Sequence, residues 1–276
     1  MNNIDQYAVF GHPINHSKSP RIHRLFAEQT QQNLNYTAQD VPAELFDSAI
    51  ADFFKQGGKG LNCTVPLKEL AWQRADSLSE RAQFSKAVNT LVLQKDGSLL
   101  GDNTDGIGLV TDLTVNHAIS LANKRILILG AGGASRGIIG PIMEKQPAQM
   151  TIANRTVEKA ITLSQEFSQL GDITGCSYEA LKDQQFDLII NATSASLTGQ
   201  LPHLTDGLLA KNGYCYDLAY SNTPTAFVYW GLAQDAKKSL DGLGMLVEQA
   251  AEAFYIWRNV RPHTAEVIAL LNSERE

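Results

Sequence analysis

The stretch "KRILILGAGGASRG", residues 124–137, decides how the rest of the chain is read. Residues 126–129 are an unbroken isoleucine–leucine run, the pattern of a strand buried on both faces. The run passes straight into glycines and then into a helical pattern. Glycines let the backbone approach a pyrophosphate, and the helix N-terminus adds free N–H groups and the favourable end of its dipole. The order departs from GxGxxG, because Ser135 stands where the third glycine would be and Gly133 is extra. Small residues still permit close packing. A strand before the turn and a strand–helix series after it make this a dinucleotide fingerprint. Its contact residues are expected to be Gly130, Ala131, Gly132, Gly133, Ala134 and Ser135.

Downstream, the next strand, "QMTIAN", leads into "NRTVEK" at 154–159. An NAD site usually carries an acidic residue there, about 20 residues beyond the glycines, to hold the ribose 2′-hydroxyl. This chain offers Asn154, Arg155, Thr156 and Lys159 instead. Arginine binds a 2′-phosphate through two parallel hydrogen bonds and stacks on adenine, so NADP(H) is the expected cofactor. "DITGC", "FDLIIN" and "GYCYDL" continue the series as strands. Upstream, strands are expected at Tyr7–Phe10, Asn35–Val41, Gly60–Val65, Val88–Gln94 and Leu99–Asp102, with helices at Pro20–Gln31, Ala43–Lys55 and Ser79–Lys86. A helix runs from about 105 to His117, and Met245–Trp257 and His263–Leu271 close the chain. The fold class is therefore α/β in two domains. An N-terminal α/β substrate domain comprises 1–104 plus 245–276. A Rossmann-type NADP-binding domain with a doubly wound parallel sheet comprises 105–244.

Bulk properties narrow the function classes. The 276 residues are 43% hydrophobic and 19% charged, ordinary for a soluble protein with a real core. The formal net charge of −6 argues against a nucleic-acid binder, so an anionic substrate must be met by local donors. Cys63, Cys176 and Cys215 lie far apart with no CxxC pair, which suggests neither a disulfide framework nor a zinc site. No apolar run approaches the ~20 residues of a membrane span, and the N-terminus lacks a secretory pattern. A cytoplasmic protein is expected, and the composition suits a monomer or a homodimer.

In the first half, "GKGLNCTVPLKEL" (58–70) places Asn62 and Thr64 on one face of a strand, with Pro66 opening a helix. Lys68 then stands in the first turn, where a cation opposes the helix dipole. A surface lysine tolerated at a helix start is the bland reading; a proton donor whose charged form is disfavoured there is the functional one. "GHPINHSKSPRIH" (11–23) puts Ser19 at an N-cap and Pro20 at the first helical position, with Ser17 and Ser19 hydroxyls facing a small carboxylate or simply capping a helix. Asp105 reads equally as an N-cap, Asn89 as a turn residue, Tyr220 as a half-buried aromatic and Gln249 as a helix-surface amide. His12, His16 and His23 read as structural, and no metal is expected.

Taken in order, "GHPINHSKSPRIH", "GLNCTVPLK", "KAVNT", "GDNTDGIG", "GAGGASRG", "NRTVEK", "NATS" and "DGLGMLVEQAAEAFYIW" resemble the shikimate dehydrogenase family along nearly the whole chain. Departures are Arg24 for the usual Asn, Cys63 for Val, Lys86 for Gly, and Ser196 for a frequent Gly after "NATS". The resemblance implies reversible NADPH-dependent reduction of 3-dehydroshikimate to shikimate, in aromatic amino-acid biosynthesis. It implies Lys68 and Asp105 as the catalytic pair. The substrate shell would be Ser17, Ser19, Asn62, Thr64, Lys68, Asn89, Asp105, Tyr220 and Gln249. Thr193, Leu218 and Gly242 would serve the nicotinamide end, and Glu80 the cofactor. The nearest rival is a quinate/shikimate dehydrogenase of broader specificity. Glutamyl-tRNA reductase-like and methylene-tetrahydrofolate dehydrogenase-like proteins lack the "HSKSP" and "NTD" segments, and a non-catalytic NADP-binding module would have lost Lys68 or Asp105.

Overall fold

The computed structural model describes residues 4–202 and 204–275. The chain divides into two compact units, one of residues up to 108 with 247–270, the other of 109–246 with residues from 271 on. The changeovers fall a few residues beyond the expected 104/105 and 244/245. The end of the chain joins the second unit because Arg275 grips Asp241 with two hydrogen bonds of 2.6 and 3.1 Å. The expected outer limits, 1 and 276, lie outside the described residues.

The first unit is built on a mixed six-stranded sheet. Its strands are β1 (Asp5–Gly11), β2 (Leu34–Asp40), β3 (Gly58–Cys63), β4 (Ser77–Leu78), β5 (Thr90–Leu93) and β6 (Leu99–Asp102), in the order β2-β1-β3-β5-β6-β4. β1 pairs parallel with both β2 and β3, whereas β3–β5 and β5–β6 are antiparallel. Parallel neighbours need helical crossovers, and α1 (Ser19–Gln29) and α2 (Phe46–Lys55) supply them. α3 (Lys68–Arg74) and α4 (Glu80–Ser85) follow. The "KDGS" segment turns β5 into β6, with Gln94 N–H donating to Ser98 O at 2.8 Å. Both faces of β1 are covered. Ala8 and Phe10 pack with Leu61, Leu67 and Leu91, while Tyr7 and Val9 pack with Ile14, Tyr36 and Trp257.

Two local expectations change. Lys18, not Ser19, occupies the N-cap of α1, so Ser19 is already helical and Pro20 follows it. Pro66 lies in a turn rather than opening α3, and Lys68 is the first helical residue.

From Asp105 the chain forms α5 (Asp105–Thr111), which passes into a π-helical turn over Asp112–Asn116. The second unit is a parallel sheet of β7 (Arg125–Leu129), β8 (Gln149–Ala153), β9 (Ile173–Cys176), β10 (Phe186–Asn191), β11 (Leu209–Asp217) and β12 (Lys238–Leu240). The order β12-β11-β10-β7-β8-β9 reads 3-2-1-4-5-6 from the far edge, the doubly wound dinucleotide-binding arrangement. Register aligns the strand ends: Leu129 pairs with Ala153 on one side and with Asn191 on the other, and Asn191 with Asp217. The residues that follow, Gly130, Asn154, Ala192 and Leu218, therefore leave the sheet along one carboxyl edge, where such sheets bind ligands. α6 (Gly133–Met143), α7 (Val157–Glu166) and α8 (Ala226–Ala233) cover the strands. α9 (Leu243–Arg258) and α10 (Ala265–Ser273) end the chain.

Candidate active site

The centre of the first unit is an ion pair. Lys68 Nζ donates to Asp105 Oδ2 at 2.5 Å, with the lysine side chain 22% exposed and the aspartate 10%. α3 presents the lysine from its first turn and α5 presents the aspartate from its own. The helix start that disfavours an ammonium is thus answered by a carboxylate in direct contact. The aspartate is fixed in turn: Asn89 Nδ2 donates to Oδ1 at 2.8 Å, and the Asp105 N–H donates to Asn103 Oδ1 at 3.1 Å. A charge-assisted bond whose acceptor cannot rotate sets the position of Nζ.

Around the pair lies a network of neutral groups. Asn89 Oδ1 accepts from Thr104 N at 2.9 Å and from Thr90 Oγ1 at 2.8 Å. Its amide also donates to Thr104 Oγ1 at 2.9 Å and to Gln249 Oε1 at 3.3 Å. Asn89 therefore orients Asp105 and Gln249 and has little bonding capacity left. Asn62 uses both amide hydrogens, on Asn89 O (2.9 Å) and Thr90 Oγ1 (3.0 Å), and its Oδ1 accepts from Tyr36 at 2.6 Å. One lone pair of Oδ1 remains, so toward a further partner this amide can only accept. Thr64 follows β3 directly, its N–H bound to Phe10 O at 2.9 Å. Ser17 Oγ accepts the Ser19 N–H at 3.3 Å, and Ser19 is buried. Lys68, Asp105, Asn89, Gln249 and Asn62 thus share one bonded cluster. Glu80 begins α4 in the same unit, exposed. Tyr36, Thr90, Asn103 and Thr104 escaped the sequence reading: Tyr36, Thr90 and Thr104 meet partners 15 to 28 residues away through strand order, whereas Asn103 holds Asp105 through a short local turn.

In the second unit, Gly130 adopts φ +103°, a conformation that favours glycine, and its carbonyl accepts from buried Ser135 Oγ at 2.8 Å. The serine in the third-glycine position thereby ties the turn to the helix it opens. A Cβ at Gly132 or Gly133 would meet nothing within 4 Å, so the main chain is bare at the start of α6 and open to a pyrophosphate. Asn154 leaves the end of β8 and donates to Thr156 O at 2.8 Å, while Arg155, Thr156 and Lys159 are exposed. The donor set suits a 2′-phosphate. Thr193 Oγ1 donates to Asn191 Oδ1 at 2.7 Å, Leu218 N–H to Asn191 O at 2.9 Å, and Gly242 N–H to Ala219 O at 3.0 Å. These bonds gather the three residues expected at the nicotinamide end onto the carboxyl edge of the sheet. Tyr220 lies in the loop after β11.

Beneath that edge, Asp217 is fully buried and accepts from Ser196 Oγ (2.5 Å), Thr225 Oγ1 (2.7 Å), Asn191 Nδ2 (3.1 Å) and Ala219 N (3.1 Å). Burial pushes its carboxyl above the ordinary value, and the four donors pull it back. Ser196, where glycine is frequent, cross-ties the loop after β10 to β11. Among the described residues no cluster of three His, Cys, Asp or Glu side chains is placed to hold a metal ion, and no helix is long and apolar enough to cross a membrane.

A doubly wound nucleotide-binding sheet, joined to a unit carrying a fixed lysine–carboxylate pair, defines a two-domain α/β dehydrogenase. Comparison with known proteins agrees. Residues 9–91 match the shikimate dehydrogenase substrate-binding domain, 112–200 the shikimate/quinate 5-dehydrogenase model, and 242–271 the shikimate 5′-dehydrogenase C-terminal domain. The chain is 59% identical to the shikimate dehydrogenase (NADP(+)) of Methylococcus capsulatus, over 100% of this chain and 99% of that protein. An Ael1 enzyme from Pseudomonas putida superposes with TM-score 0.90 at 46% identity, covering 97% of this chain and 98% of that one. The shikimate 5-dehydrogenase of Thermus thermophilus, solved with NADP(H) and shikimate, gives 0.87 at 31% identity, covering 99% and 100%. The chain belongs to the shikimate dehydrogenase family.

Proposed function

We propose that the chain catalyses the reversible reduction of 3-dehydroshikimate to shikimate with NADPH, and that Lys68 and Asp105 handle the proton. The observation that carries this reading is the 2.5 Å ion pair, held by Asn89 and Asn103 and ringed by neutral hydrogen-bonding groups. A polyhydroxylated ring calls for such groups.

When bound, NADPH supplies the hydride that adds to the carbonyl carbon. Negative charge then builds on the carbonyl oxygen and needs a proton. Lys68 has three N–H groups, one engaged by Asp105, which leaves two for that oxygen. It gives up one proton as the C–O bond becomes an alcohol. In the oxidative direction the neutral amine takes the proton back. Asp105 stabilises the ammonium and keeps Nζ at the reacting oxygen. Ser17 and Ser19 hydroxyls serve the substrate carboxylate. Asn62, Thr64 and Gln249 serve the ring hydroxyls, and Asn89 fixes the groups that touch them. Residues 130–135 cradle the pyrophosphate, Arg155 and Lys159 take the 2′-phosphate, and Thr193, Leu218 and Gly242 line the nicotinamide end. Three unpaired cysteines suit a reducing compartment, the cytoplasm.

The test is a panel of initial rates with shikimate or quinate against NADP or NAD. Turnover concentrated in the shikimate–NADP pair is expected. Comparable turnover of quinate would move the chain to the broader quinate/shikimate reading, and absence of turnover with every pair would overturn the proposal.

A further inference from the structure

Tyr36 has no part in the reaction described above, yet it is bonded to a residue given to the substrate. It lies on β2, buried, and its hydroxyl donates to Asn62 Oδ1 at 2.6 Å on β3. Asn62 already uses both amide hydrogens, so its Oδ1 can only accept, and the phenol proton is committed to it. The bond therefore runs one way, from Tyr36 to Asn62.

The ring is held as firmly as the hydroxyl. His23 stacks flat on it, centroids 4.0 Å apart and planes within 6°. Trp257 and Phe254 close on His23 at 5.5 and 6.2 Å. Neither ring nitrogen of His23 has a hydrogen-bond partner, so the imidazole acts here as a flat packing surface.

We propose that Tyr36 is a positioning residue that fixes the Asn62 amide, and so the oxygen it offers the substrate, without touching the substrate itself. This inference rests on the reading above, in which Asn62 meets a ring hydroxyl. Removing the phenol oxygen leaves the Asn62 oxygen without its inner donor, while a phenylalanine keeps the stack on His23.

The experiment compares wild type, Tyr36→Phe, Asn62→Ala and the double variant, measuring KM for shikimate and for NADP together with melting temperature. Y36F is expected to raise KM for shikimate roughly tenfold, the loss of about one net buried hydrogen bond, and to leave KM for NADP unchanged. In the Asn62→Ala background the same substitution is expected to add less than threefold, because part of its effect passes through Asn62. A Y36F enzyme with wild-type KM for shikimate would overturn the inference, as would an undiminished tenfold effect in the double variant. Equal loss for shikimate and NADP, with a lowered melting temperature, would reduce Tyr36 to a packing residue and overturn it too. A wild-type enzyme that neither binds nor oxidises shikimate would overturn the proposed function, and this inference with it.

Discussion

At the residue, burial decides what each titratable group is able to do. His23 is buried without a hydrogen-bond partner, and burial lowers its pKa from 6.5 to about 3. The unfolded chain therefore binds a proton below about pH 6.5 that the native state refuses until about pH 3. The stability from neutral His23 is complete above pH 6.5 and falls as pH drops through that window, by about 1.4 kcal/mol per pH unit. A His23→Phe variant is expected to show a shallower fall in unfolding free energy between pH 6 and 4, measured by urea denaturation at each pH; an unchanged slope would contradict the assignment. The same scale shows how far residues alone can be read. Lys68 and Asp105 were legible because they fall inside "GLNCTVPLK" and "GDNTDGIG". Tyr36 was not, since its partner Asn62 is 26 residues away and they meet only because β2 and β3 flank β1. Asn89 was legible as a candidate, but its saturation by Thr90, Thr104 and Asp105 was not.

At the level of elements, the buried strands were the most legible. β7 and β10 have almost no exposed apolar surface, and such strands read as continuous aliphatic runs. β4 and β12, two and three residues long at sheet edges, carry no pattern to read. Pro66 misled in a different way: a proline after a strand suits a helix start, but here it occupies the turn before one. Packing between elements makes its own prediction at Gly175. A Cβ there would lie 2.3 Å from Ala160 O and 2.5 Å from Ile161 N, main-chain atoms of α7 that cannot swing aside. Gly175→Ala must push α7 off β9, at a cost of about 2 kcal/mol or more. Thermal melting should fall by several degrees. Affinity for NADP should fall as well, because the start of α7 carries Lys159. A variant that melts and binds like wild type would show that the contact yields.

For the molecule as a whole, a chain of net charge −6 handles two anions. Bulk charge therefore repels its own ligands, and under the proposed function recognition rests on a few placed donors: Arg155 and Lys159 at the carboxyl edge of the second sheet, and hydroxyls in the first unit. Composition argues against a nucleic-acid binder but says nothing of these local exceptions, which need the offset of Arg155 from the glycine turn to be seen. Arg155→Ala is expected to raise KM for NADP by roughly ten- to a hundredfold, the worth of a charge-assisted contact to phosphate. KM for NAD, which lacks that phosphate, should not change. Initial rates at varied cofactor measure both, and an equal loss for the two cofactors would move Arg155 out of the 2′-phosphate site.

Lys68 is proposed to move the proton rather than merely to hold the fold or the substrate. It is tested most directly by the rate of shikimate oxidation by Lys68→Ala, with shikimate affinity measured on the same protein by calorimetry. Turnover is expected to fall by roughly 10²- to 10⁴-fold, the usual contribution of a positioned acid–base group, with shikimate still bound. Turnover within a few-fold of wild type would contradict it.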